Sequence, residues 1–342
     1  MSIGVLSGGG DAPGINAVIR AITHKGIERY GYRIVGIRDG WHGLLRGNYL
    51  PLDLRTVSGI LPRGGSILGA SRTNPFKIKD GSERILRQAH KANMEAIIVI
   101  GGADTLSVAH AMGDSGLRCV GVPKTIDNDL FGTDYTFGFN TAVAVATEAL
   151  DRLHAGADTY PRVIILEVMG RYTGWIALEA GLAGGADVIL IPEKPFEIDM
   201  VCMAMKRRKL RGRNFSIIVV AEGAKPKGGV EVVYSENPDE FGHIRLGGIG
   251  YSLGKEIERS TKIETRVVVL GHLQRGGPPT AFDRILSTRF GIAAIDLTRQ
   301  HKFDRMVALK GNEIISVPLK DVIGRRKTVD IRSYDTASVS FG

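Results

Sequence analysis

Gly121–Asp129 read GVPKTIDND: a lysine, a threonine and two aspartates follow directly on a largely apolar run, Leu117 to Val122. A run of that length reads as a short buried strand, and Pro123, with no backbone N–H to give a sheet ladder, ends it. Lys124, Thr125, Asp127 and Asp129 then project from the loop at the strand's carboxyl end, where open parallel sheets bind ligands. A cation, a hydroxyl and two carboxylates held together can handle a phosphorylated substrate. They supply countercharge, a hydrogen-bonding oxygen, a base and a metal partner. Taken alone, IDND is also ordinary turn chemistry, so the flanking chain has to separate the two.

Upstream, the same pattern recurs. Ile3 to Leu6 is a short strand, Ser7 to Gly14 read SGGGDAPG, and Ile15, Val18, Ile19 and Ile22 follow at helical spacing. Consecutive glycines let backbone N–H groups approach a phosphate at a helix N-terminus, although a tight turn needs glycines too. The spacing fits neither the dinucleotide fingerprint nor the P-loop. A strand is expected at Tyr32 to Gly36, and Leu61 to Asn74, LPRGGSILGASRTN, forms a second glycine-rich segment carrying Arg63 and Arg72. Ala96 to Ile100 is a buried strand that empties into Gly101, Gly102, Ala103, Asp104 and Thr105 and then a helix. Glycine-bearing or polar turns at successive strand ends favour a doubly wound parallel sheet whose loops converge on one anionic ligand.

Downstream, a helix is expected from about Asn140 to His154, then a strand at Val163 to Val168, the segment MGRYTGW (Met169 to Trp175) and a helix containing Ile176, Ala177 and Ala180. A strand at Val188 to Ile191, a helix from near Asp199 and a strand at Ser216 to Val220 lead into Ala221, Glu222 and Gly223. Lys225 to His243 reads as a long hairpin or loop. The strand Arg266 to Leu270 ends in GHLQRGG, Gly271 to Gly277. Arg171, Glu222, Arg266, His272 and Arg275 thus fall at or near strand ends. Arginines with a histidine suit a sugar phosphate, and a glutamate accepts hydrogen bonds from its hydroxyls.

The 342-residue length suits about two domains. No run approaches a membrane span, and the N-terminus lacks the basic flank and apolar length of a signal peptide, so a cytoplasmic protein is expected. Cys119 and Cys202 read as buried thiols of a reducing compartment, leaving oxygen ligands for any metal. The net charge of +9 suits anionic metabolites or nucleic acid. The densest basic run, Lys206 to Arg213 (KRRKLRGR), reads as a solvated helix end and has no interleaved aromatics for base stacking, so nucleic acid is not an expected partner.

The set GGGDAPG, GGADT, PKTIDND, MGRYTGW, AEG and GHLQRGG, in this order and spacing, resembles the phosphofructokinases across essentially the whole chain. The likeness is greatest to the bacterial group that uses pyrophosphate, or ATP in near relatives, to phosphorylate fructose 6-phosphate. The resemblance implies an α/β protein of two similar three-layer domains with mainly parallel sheets and the active site in the cleft between them. The donor domain would take residues 1–138 plus about 280–305, the sugar-phosphate domain 139–279 plus about 306–325, and 326–342 a C-terminal tail. It also implies a magnesium-dependent, reversible transferase of glycolysis and a homodimer or homotetramer.

Residue by residue, the resemblance makes Asp127 the base for the sugar 1-hydroxyl. Thr125 and Asp129 support it, with Asp129 and Asp104 toward Mg²⁺. Arg171 becomes a transition-state and substrate contact, and Lys124 a catalytic and donor contact. Gly10, Asp11, Arg72 and Asp104 fall on the donor side. Met169, Gly170 and Glu222 become sugar contacts, and His272 and Arg275 the 6-phosphate ligands. Arg162 and Arg266 match arginines that reach an adjacent subunit's substrate. ATP users have glycine at Asp104, whereas pyrophosphate users have aspartate there and lysine at Lys124. Of three effector arginines in the allosteric enzymes only Arg20 is matched, the others being His24 and Leu54, so that control is not expected. Within the enzyme class the alternative is the ATP-dependent version. The family's acidic residue ahead of Asp104 is Ala103 here, which adds a weakly active or non-catalytic sugar-phosphate-binding paralogue as a further alternative.

Overall fold

The computed structural model describes residues 1–157, 160–213, 215–235, 241–242 and 245–339. Its strands in chain order are β1 (Ser2–Ser7), β2 (Arg33–Ile37), β3 (Tyr49–Leu52), β4 (Ala96–Gly101), β5 (Cys119–Pro123), β6 (Arg162–Val168), β7 (Val188–Leu190), β8 (Phe215–Ala221), β9 (Val233–Ser235), β10 (Arg245–Leu246), β11 (Thr265–Val269), β12 (Arg305–Lys310) and β13 (Glu313–Pro318). Two sheets carry the site. One has the order β13-β12-β5-β4-β1-β2-β3, the other β11-β6-β8-β7. In the first, β12, β5, β4, β1 and β2 run parallel and the antiparallel strands β13 and β3 close the edges. The second is parallel throughout.

Strands covered on both faces are apolar without alternation, and β4, AIIVIG, is buried along its length. Its successive side chains feed opposite cores. Ile98 and Ile100 join Val120, Val122 and Phe290 on one face, while Ile97 and Val99 join Leu106, Met112 and Cys119 on the other. The second sheet repeats this, with Ile164, Leu166 and Val219 on one face and Ile165, Ile218 and Val220 on the other. Each sheet is therefore the middle of three layers. Helices Ile15–Tyr30 and Ala281–Arg299 share one outer layer of the first sheet through Val18, Ile22, Leu286 and Ala294. Thr280 caps the second of these, its hydroxyl accepting from the Asp283 N–H.

Sheet membership departs from expectation at one point. β12 joins β5 in parallel register, Arg305 opposite Val120, and β13 pairs with β12, so part of the segment about 306–325 that the resemblance gave to the sugar-phosphate domain completes the first sheet. Leu319 and Val322 pack on the same core. Val329 and the last helix, Ile331–Ser338, cross over, burying Val329 and Tyr334 in the second sheet's core. Nothing local in an apolar strand such as MVAL names its partner, and it lies far in sequence from β5. Of the strands in the described residues, only β9 falls within the expected hairpin at 225–243, and it pairs antiparallel with β10 just beyond that segment, while 236–240, 243 and, in the tail, 340–342 lie outside the described residues. Cys119 and Cys202 are buried and free. Among the described residues no helix is long and apolar enough to cross a membrane.

Candidate active site

β1, β4 and β5 are adjacent, so their carboxyl ends set the first glycine loop, the Gly101–Thr105 turn and the PKTIDND loop side by side. The strand before the PKTIDND loop ends at Pro123, as expected. The loop is then fixed from within. Asn128 takes a left-handed φ of 51°, and its Oδ1 accepts from the Thr136 N–H at 3.0 Å. The Thr136 hydroxyl donates to the Thr125 carbonyl at 2.7 Å, and the Asp127 N–H donates to Thr125 Oγ1 at 3.1 Å. Asparagine tolerates this conformation better than most residues, which puts Asp127 and Asp129 on either side of a rigid pivot.

Lys124 is 3% exposed, and its Nζ donates to the Gly10 carbonyl across the loop ends. Burial and the Arg275 charge bring its pKa down to about 7, against the pull of Asp11. Gly10 leaves the necessary room, since a Cβ there would lie 2.9 Å from Arg275 Nη1. Arg72 also bears on Lys124. The second glycine segment lies beside the first loop, the Gly9 N–H donating to the Ser71 carbonyl at 2.9 Å. Asp104 occupies the first turn of helix Ala103–Asp114, which starts at Gly102 without a side-chain cap.

The second sheet contributes from β6, β8 and β11, again neighbours. The Glu222 N–H donates to the Val168 carbonyl at 2.9 Å, and the Gly223 N–H to the Gly170 carbonyl at 3.1 Å. Gly170 has a φ of 140°, with the Thr173 carbonyl 2.6 Å from where a Cβ would be. The Met169 N–H donates to Gln274 Oε1 at 3.3 Å, which ties MGRYTGW to GHLQRGG. Across the cleft, Arg275 Nη1 donates to the Asp11 carbonyl at 3.2 Å and the Thr173 hydroxyl to the Asp127 carbonyl at 3.1 Å.

Burial raises the Asp127 pKa, opposed by the charges of Arg275, Arg171, Lys124 and Arg326. Burial and the Asp127 charge push Asp129 up to about 6. Glu222 rises to about 7 for the same two reasons. Buried carboxylates and a buried ammonium moved toward neutrality are ready for an incoming charged ligand.

Gly10, Asp11, Arg72, Lys124, Thr125, Asp127, Asp129, Gly170, Arg171, Glu222 and Arg275 are thus linked by hydrogen bonds or by charge around one cleft. Arg162 and Arg266 are not in it. They stand at the amino ends of β6 and β11, roughly 20 Å from the loops at about 3.3 Å per residue. Arg266 is 66% exposed and pairs with Glu264 at 2.5 Å. His272 is exposed at the start of its turn. Sequence reasoning missed Asn128, Thr173, Gln274 and Arg326. The turn preference of asparagine could have flagged the first; the others act through distant partners.

A family model described as Phosphofructokinase matches residues 2–298. A pyrophosphate–fructose 6-phosphate 1-phosphotransferase of Streptomyces coelicolor is 55% identical over the full length of both chains. ATP-dependent 6-phosphofructokinase 3 of the same organism is 50% identical over 98% of this chain and 99% of its own. Among solved structures, Pichia pastoris phosphofructokinase in the T-state aligns with a TM-score of 0.85 at 28% identity, over 99% of this chain and 36% of that longer one.

Proposed function

The chain belongs to the phosphofructokinase family, and we propose that it moves a phosphoryl group from pyrophosphate to the 1-hydroxyl of fructose 6-phosphate, giving fructose 1,6-bisphosphate and phosphate. The observation that carries this reading is the convergence of Lys124 and Arg275 on the first glycine loop, with both charges bearing on buried Asp127. Phosphoryl transfer asks mainly for alignment and countercharge, and that is what the cleft holds. Asp127 accepts the hydroxyl proton and Arg171 faces the charge that develops. Lys124, Gly10, Asp11 and Arg72 hold the donor, while Met169, Gly170, Glu222, His272 and Arg275 hold the sugar phosphate. Assaying the purified protein with fructose 6-phosphate, Mg²⁺ and either donor tests it, and the absence of turnover with both would refute it.

Mg²⁺ fits the residues present. Asp127 Oδ1 is buried with no hydrogen-bond partner among the described residues, beside the Asp129 carboxylate, and a hard cation takes oxygen ligands and keeps several waters. Asp129 and Asp104 would hold the ion, which supplies countercharge to donor oxygens. Ala103 removes one carboxylate from the neighbourhood. Ala103→Asp is expected to lower the Mg²⁺ concentration for half-maximal rate by about 10-fold or more, the usual cost of a missing outer carboxylate, with KM for fructose 6-phosphate unchanged. An unmoved titration would make Ala103 a neutral departure. A wild type that is inert while the variant turns over would favour the binding-only paralogue.

The donor assignment rests on Asp104, whose carboxylate in the first helical turn would crowd and repel an α-phosphate. Pyrophosphate is therefore expected to exceed ATP in kcat/KM, and Asp104→Gly to narrow the gap without reversing it, since Lys124 still favours the smaller donor. A wild type preferring ATP would overturn the assignment. Arg162 and Arg266, too distant to serve their own cleft, fit an adjacent subunit's substrate, so a homo-oligomer, and a cytoplasmic location, belong to the same proposal.

A further inference from the structure

Arg325 to Val329 forms a strap across the loop ends of both sheets. Arg326 forms an antiparallel bridge with Leu130, and the Lys327 N–H donates to the Asp129 carbonyl at 2.9 Å. Lys327 Nζ, half-buried, donates to the carbonyls of Thr133 and Asp134 at 3.2 and 2.6 Å. On the other side, Trp175 Nε1 donates to the Lys327 carbonyl at 3.1 Å. The Val329 N–H reaches Glu193 Oε1 at 2.9 Å, and that carboxylate also accepts the Gly174 N–H at 3.0 and 3.1 Å. The strap is pinned to the PKTIDND loop and to MGRYTGW at once.

This pinning fixes where Arg326 points its charge. The guanidinium lies over the Tyr172 ring, 3.8 Å from its centroid, and stacking uses a face while leaving the N–H groups around the edge. The charges that act most on Lys124 come from Arg275, Asp11, Arg72 and Asp127, and those on Glu222 from Asp127, Arg171 and Arg275. Arg326 bridges Leu130, next to Asp129, and lies over Tyr172, next to Arg171, so it stands where the PKTIDND loop meets MGRYTGW, and its charge bears on Asp127.

We propose that Arg326 is a further residue of the transfer centre, carried there by the strap, and that its guanidinium neutralises charge on the phosphoryl group in transit. This rests on the functional reading above. The group passes from the donor oxygen to the sugar oxygen while its charge spreads over the non-bridging oxygens, and a fork-shaped cation with free edge donors complements that distribution.

The test compares Arg326→Gln and Arg326→Lys with wild type in kcat, both KM values and Tm. Arg326→Gln should lose about tenfold in kcat, less than a fully buried donor would cost because the group is exposed, with both KM values within about threefold and Tm unchanged. Arg326→Lys should recover part of kcat, having the charge without the fork. The gap between wild type and Arg326→Gln should shrink as salt screens the exposed charge. Equal kcat in Arg326→Gln, or an equal loss in both variants with a fall in Tm, would leave only a structural clasp and overturn the proposal. A wild type transferring nothing from either donor would overturn the functional reading and this role with it, whereas an active wild type matched by Arg326→Gln overturns the role of Arg326 alone.

Discussion

Asp127→Asn is expected to lower kcat by at least about 10²-fold, the low end for loss of a general base, with KM for fructose 6-phosphate changed little. The substitution keeps the shape and the backbone contacts at Asp127, namely the N–H to Thr125 Oγ1 and the carbonyl from Thr173. What it removes is the proton acceptor, whose Oδ1 is shielded and has no hydrogen-bond partner among the described residues. A base works only when ionised, so the wild-type rate should fall as pH drops through the raised Asp127 pKa. Asp129, pushed up to about 6, and Glu222, pushed up to about 7, add their own steps to the acid side of the profile. The residual rate of the variant should lose the Asp127 contribution to that acid limb. Steady-state kinetics across pH check both points, and near wild-type kcat would mean that another group takes the proton.

The loops of this centre were legible in the sequence because each sits where an apolar strand runs into glycines or charges: β1 into SGGGDAPG, β4 into GGADT, β5 into KTIDND. Local periodicity sufficed to find the strands, and the rule that ligands gather at carboxyl ends of parallel strands placed the side chains. What local pattern could not supply was pairing between distant segments. β12 reads as any buried strand, and only its register with β5 assigns it to the first sheet. Gln274 looks like one polar residue among several in GHLQRGG, yet it is fully buried and holds the Met169 backbone. The tail carries no glycine loop or apolar period at Arg326. Its place follows from hydrogen bonds to Asp129, Thr133, Asp134 and Glu193, partners made near by the fold alone. Arg162 and Arg266 show the converse, since the resemblance flagged them while the chain holds them at the wrong end of the sheet for its own cleft.

Arg275→Ala should raise KM for fructose 6-phosphate by about 10²-fold, the loss of one charge-assisted contact within a partly desolvated cleft. His272→Ala should cost about tenfold or less, because His272 is exposed and solvent replaces part of its contact. Arg275 has a second consequence that separates it from a simple phosphate ligand. Its charge holds the Lys124 pKa down and opposes the rise at Asp127. Removing it therefore lets both values climb. A higher Lys124 pKa leaves more ammonium near neutral pH, so donor affinity should hold or improve while sugar-phosphate affinity falls. A higher Asp127 pKa moves the acid limb of kcat toward higher pH. Initial rates over a grid of both substrates at several pH values read all three effects, with Arg275→Lys as the variant that keeps the charge and loses the bond from Nη1 to the Asp11 carbonyl. Unchanged KM for fructose 6-phosphate in both alanine variants would remove the 6-phosphate site from this turn. A parallel fall in donor affinity would place Arg275 on the pyrophosphate side of the cleft, where its contact with the first glycine loop already puts one end of it.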